Sequence, residues 1–173
     1  MKKDENEPRP RLKLKLSSHD HVVEFLGLSF MIILIAIPVF YYNQLPERIP
    51  THFNASGIPD GFGGRSSLFI LPATGLFIYL LMTILAAFPH IYNFPVKITT
   101  ENAEVQYRLA TRLLRVLKTV ILILFSFISW MTVRAAAGSA LGLGKMFLPV
   151  FFILTFGVVI IYLVQSMNNR HQS

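Results

Sequence analysis

Leu45-Pro46-Glu47-Arg48-Ile49-Pro50-Thr51-His52-Phe53-Asn54-Ala55-Ser56-Gly57-Ile58-Pro59-Asp60-Gly61-Phe62-Gly63-Gly64-Arg65-Ser66 lies between two long apolar segments and has the composition of neither. Pro46 and Pro50 hold the residues before them extended and exclude helix. Asn54, Ser56, Gly57 and Pro59-Asp60-Gly61 are turn chemistry: Asn closes local turns, Pro fits a first corner and Gly takes positive φ. The stretch therefore predicts a compact, shaped loop that displays His52, Asn54 and Asp60.

The rest of the chain predicts a membrane support for that loop. Of 173 residues, 53% are hydrophobic and only 14% charged, against about 25% charged in soluble domains. Four apolar spans follow in order: Val22–Tyr42, Ser67–Phe88, Val116–Val133 and Met146–Gln165, with charges only near their ends. Each approaches the ~20 residues a bilayer core requires. The first is too long for a cleavable signal peptide, and no small-residue cleavage site follows it. The third is short. Its strictly uncharged part, 119–133, spans only about 22 Å, so Lys118 and Arg134 are expected to snorkel outward. Cysteine is absent, which leaves no disulfide framework.

Basic residues set the orientation. The tail carries Lys2, Lys3, Arg9, Arg11, Lys13 and Lys15, and the link between the second and third spans carries Lys97, Arg108, Arg112 and Arg115. The opposite loops carry only Arg48, Arg65, Arg134 and Lys145. The positive-inside rule then places both termini in the cytoplasm and the 45–66 loop outside. The expected fold is an all-α integral membrane protein with four transmembrane helices, an extracytoplasmic motif loop and an amphipathic cytoplasmic helix. Its parts are a basic cytoplasmic tail (1–21), a two-helix unit with the motif loop (22–90), a cytoplasmic link (91–118), the third and fourth helices (116–166) and a polar tail (167–173).

In the link, Thr99 or Thr100 can cap a helix with Glu101 and Glu104 in its first turn. Arg108, Arg112 and Arg115 share one face and Val105, Leu109 and Leu113 another. This predicts one long helix, or two nearly continuous ones, over 101–134, with its first half at the inner interface. The Arg face, with Lys118, is expected to meet lipid headgroups or an acidic partner. The last link, 135–145, has the glycines of a phosphate-binding loop but not its spacing, and reads as a short flexible turn. His19-Asp20-His21 lacks a helical ligand spacing and reads as a polar flank. Asn54-Ala55-Ser56 matches a glycosylation acceptor.

Chemistry is sparse. Between the flanking charges no ionisable residue falls within a span, which argues against an ion-coupled carrier. His52, Asn54 and Asp60 are the side chains able to converge on a cation, but such residues in a turn-rich loop more often bond to backbone. No metal or other cofactor is expected. Pro38, Pro72 and Pro149 each lie near the outer end of a span, and three bends at one depth would open a shallow vestibule beneath the loop.

The run Leu45-Pro46-x-x-Ile49-Pro50-x-His52-Phe53-Asn54-x-x-Gly57-x-Pro59-Asp60-Gly61 resembles the domain of unknown function 1648, a bacterial membrane family. The resemblance covers about residues 25–90 and singles out Pro50, His52, Phe53, Asn54, Gly57, Pro59, Asp60 and Gly61. The family also forms the N-terminal part of SdpI-type immunity proteins, which protect bacilli from a secreted toxin and help signal its presence. It therefore implies a role in toxin immunity or in sensing an extracytoplasmic peptide. The expected function is non-enzymatic binding or sensing at a bacterial inner membrane. Expected partners are the lipid bilayer and either an extracytoplasmic peptide or another membrane protein, with no nucleic acid. Two alternatives stand beside it: a membrane-embedded hydrolase or metal-dependent enzyme using the outer loop, and a small transporter or transporter accessory subunit.

Overall fold

A computed structural model describes residues 9–170. Lys2 and Lys3 of the expected basic tail, and residues 171–173 of the polar tail, lie outside that range. The elements are α1 (Ser18–Tyr41), β1 (Arg48–Phe53), β2 (Pro59–Gly64), α2 (Ile70–Leu85), α3 (Ala103–Ala136) and α4 (Phe147–Asn168). The four α-helices are the cores of four segments long and apolar enough to cross a membrane. Both described chain ends lie at one end of the bundle, because Asn102 donates to the Arg170 carbonyl and Arg108 to that of Lys15. The hairpin of β1 and β2 lies at the other.

Helix α1 begins where the sequence supplies a cap. The Ser17 hydroxyl accepts from the Asp20 amide and the Asp20 carboxylate accepts from that of Ser17, a reciprocal capping box. Thr99 and Asn102 make a similar reciprocal pair just before α3. That helix is a single unbroken element of 34 residues, about 50 Å long, and packs against each of the other three. Its first half does not lie bare along an interface. Tyr107 is buried against Phe94, at 5.5 Å between ring centroids, and Gln106 exchanges hydrogen bonds with Ser166 near the end of α4. Nearby, Tyr92 donates to the Leu85 carbonyl, and burial pushes its phenol up to about 12, so it remains a donor at physiological pH.

Helix α3 meets α1 through small residues and hydroxyls, as helices do in a medium that supplies little hydrophobic drive between them. Thr119 donates to the Val23 carbonyl and Ser126 to that of Phe30, both at 3.2 Å. A Cβ on Gly27 would come within 2.9 Å of the Thr119 hydroxyl, and one on Gly75 of α2 within 2.7 Å of Leu34. Met31, Leu34 and Leu122 form the mid-bundle core.

The terminal end corrects two expectations. Lys118 does not snorkel outward. Its side chain is 0% exposed, its ammonium donates to Glu24 at 2.7 Å and to Thr83 at 2.7 Å, and it sits 4.6 Å from the Tyr79 ring centroid. The arginine face also meets carboxylates of its own chain, which leaves its expected lipid contact open to it. Arg108 pairs with Glu104, Arg112 with Asp20, and Arg115 with Glu24 at 3.3 Å and Asp20 at 4.0 Å. Asp20 is thus a buried partner of α3 rather than a solvated flank. Glu24 and Lys118 lie within α1 and α3 and meet each other at the terminal end of the bundle.

Removing one partner of a buried pair costs about 3–5 kcal/mol because the other charge is stranded. Glu24→Leu is expected to destabilise by that amount in denaturant unfolding in micelles. The double variant Glu24→Leu/Lys118→Leu is expected to be more stable than the single one. A single variant as stable as the parent contradicts the arrangement.

Candidate functional site

The motif stretch folds as an antiparallel β-hairpin, with Arg48 opposite Gly64 and Phe53 opposite Pro59. Extended geometry at Pro50 suits a two-stranded ribbon, where a missing amide donor is tolerated at the free edge. The pairing slips around Thr51 and again around Asp60, so His52 faces Gly61. Gly61 is required there: a Cβ would lie 2.9 Å from that of His52. The turn is closed by Asn54, whose side-chain oxygen accepts from the Ser56 and Ile58 amides. His52 Nδ1 and Asp60 Oδ1 are 2.5 Å apart across the ribbon, with His52 71% exposed. Exposed pairs of this kind contribute only about 0–1 kcal/mol. Among the described residues no three His, Cys, Asp or Glu gather as a metal set.

Two contacts seat the hairpin on the bundle. Ile49 is 0% exposed and packs with Ile37, Leu45, Leu68 and Val133. Gly57, at φ +74°, meets the link between α3 and α4, and its carbonyl accepts from the Leu143 amide at 2.7 Å. A Cβ on Gly57 would lie 2.6 Å from backbone atoms of Gly144, and one on Gly142 would strike the Gly57 carbonyl. The link expected to be a flexible turn is therefore docked, backbone against backbone, on the hairpin tip.

Beneath the hairpin is an open cavity of about 260 Å³. Pro50, His52 and Phe53 line it from above, Leu71 and Thr132 from the helices, and Leu143 from the docked link. Its cause differs from the expected triple bend. Pro72 and Pro149 are third residues of α2 and α4, where no helical hydrogen bond is lost, and only Pro38 lies inside a helix. The space arises because the ribbon bridges over the helix ends.

The eight motif residues thus come together but divide their work. Pro50, His52 and Phe53 form wall, Asn54 holds the turn, and Gly57 docks. Pro59 lies under Gly142, Asp60 holds His52, and Gly61 admits it. Arg108, Arg112, Arg115 and Lys118 lie at the opposite end of the bundle. Sequence reasoning missed Leu71, Thr132 and Leu143. The signal available for Thr132 was a hydroxyl row on α3, Ser126, Ser129 and Thr132, all buried.

Residues 30–76 match the family described as "Domain of unknown function (DUF1648)". That span takes in the second half of α1, the whole hairpin and the first turns of α2. An uncharacterised protein of the archaeon Archaeoglobus fulgidus is 52% identical over 48 residues, which are 28% of this chain and 26% of that protein. The match therefore spans about a quarter of that relative's length. No solved structure matches the chain. The class defined by fold and site is a protein of four helices long and apolar enough to cross a membrane, with the segment that matches this family at its hairpin end.

Gly57 and Gly138 share left-handed backbone, at φ +74° and +70°, but nothing lies near a Cβ at Gly138. Gly138→Ala is expected to cost about 1–2 kcal/mol from backbone strain alone. Gly57→Ala is expected to cost clearly more, because Gly144 must also move. Thermal unfolding of the two variants in micelles measures the difference, and equal losses contradict the docking contact.

Proposed function

We propose that this protein is a non-enzymatic binding or sensing protein of a bacterial inner membrane, with both chain ends in the cytoplasm and the hairpin outside. The hairpin and the cavity beneath it take an apolar group offered by an extracytoplasmic peptide, a lipid or another membrane protein. The observation that carries this reading is the cavity itself. Close-packed interiors leave few voids larger than water, and ligand sites are concave, mostly apolar spaces with a few placed polar groups. Here Leu68, Leu71, Ile128 and Leu143 supply the apolar wall, and His52 and Thr132 the polar groups. Excess Lys and Arg at the terminal end support the orientation. The hairpin's place within the matched segment supports a role held in common with that family, and toxin immunity or signalling fits the same arrangement. Helix α3 runs from the cavity, at Ile128 and Thr132, to the charged cluster at Arg115 and Lys118. It offers a rigid path between the two faces.

The test is a benzophenone side chain placed at Thr51, on the cavity wall, and irradiated in intact cells. A discrete adduct is expected in the parent. Ile70 is 61% exposed and lines the mouth, so Ile70→Trp fills the opening without disturbing the core. It is expected to lower adduct yield severalfold, while Ile70→Ala keeps it. No adduct in the parent, or undiminished yield in Ile70→Trp, contradicts the proposal.

A further inference from the structure

A second cleft lies at the terminal end, far from the hairpin. It measures about 420 Å³, is open on one side, and is lined by residues from the 12–16 segment, α1, the end of α2 and α3. Leu12, Leu14 and Leu16 line it together with Ala86, Ala87 and Pro89, and the polar lining is Lys13, Glu24, Thr83 and Arg115. The leucine wall is held in place. Arg9 donates to the Tyr92 carbonyl at 2.5 Å, its guanidinium lies 5.7 Å from the Phe94 ring centroid, and Arg108 donates to the Lys15 carbonyl at 3.0 Å.

The charge balance favours an anion. Among the described residues, the ion pairs of Arg112, Arg115 and Lys118 are with Asp20 and Glu24, three cations to two carboxylates. Glu24, the carboxylate lining the cleft, already faces Lys118 at 2.7 Å and Arg115 at 3.3 Å. Lys13 has no ion-pair partner among the described residues. The depth is also set: α2 ends at Leu85, so Ala86, Ala87 and Pro89 stand where hydrocarbon gives way to headgroups. A free anion would have no use for two apolar walls, whereas a phospholipid fills both parts. Basic pockets between membrane helices are suited to such headgroups.

We propose that this cleft is a binding site for an anionic phospholipid, with the phosphate between Lys13 and Arg115 and an acyl chain between the leucine wall and Ala86-Ala87. The site is distinct from the hairpin cavity and does not depend on its function. Native mass spectrometry of the full chain released from micelles tests it, with phosphatidylglycerol and phosphatidylcholine as probes. Phosphatidylglycerol is expected to be retained about five- to tenfold more than phosphatidylcholine. Lys13 is exposed, so Lys13→Glu leaves the fold intact and is expected to bring the two lipids to within about twofold. Lys13→Arg keeps the preference, and millimolar inorganic phosphate does not displace the lipid. Equal retention of both lipids by the parent, an undiminished preference in Lys13→Glu, or displacement by phosphate alone overturns the proposal.

Discussion

A two-stranded ribbon is marginally stable in water by itself, and the whole hairpin end depends on how this one is anchored. One anchor is apolar: Ile49 projects from β1 into the pocket formed by Ile37, Leu45, Leu68 and Val133. The other is polar: the Gly57 carbonyl accepts from the Leu143 amide. The two fix opposite ends of the ribbon, one at its base and one at its tip. A bridge held at both ends cannot also lie flat on what it spans, and the cavity is the space left under it.

The same economy governs the terminal end. A buried ammonium is costly unless it is paired and hydrogen-bonded. Lys118 meets that demand by drawing Glu24 from α1, Thr83 from α2 and the Tyr79 ring to one point. The arginines beside it hold the first turn of α1 through Asp20. Three helices are thereby registered against one another at one end, while small residues and hydroxyls register α1 and α3 through the middle. Helix α4 stands apart, packed along α3 and apolar on its remaining surface, which suits a lipid-facing helix.

Much of this was legible in the sequence. Segment hydropathy and flanking charge located the four helices, and the prolines, Asn54 and Gly57 marked the shaped segment between the first two. The motif residues singled out are the ones the hairpin assembles. What was not legible is pairing between distant segments. Gly142 and Gly144 looked like flexibility because the segment they approach lies more than 80 residues earlier. Lys118 looked like a snorkelling flank because its direction depends on the register of α3 against α1. Glu24 and Lys118, opposite charges at like depth on two helices, were the clue available. Pro72 and Pro149 misled because their meaning depends on where each helix starts.

The α3–α4 link is locked to the hairpin tip, and amide hydrogen exchange in the bilayer-embedded protein reads that lock residue by residue. Leu141 is 93% exposed, while the Leu143 amide is bonded to Gly57. Leu143 is expected to exchange at least about a hundredfold more slowly than Leu141. Equally fast exchange at both positions would mean the tip is unlatched and the cavity has no fixed roof.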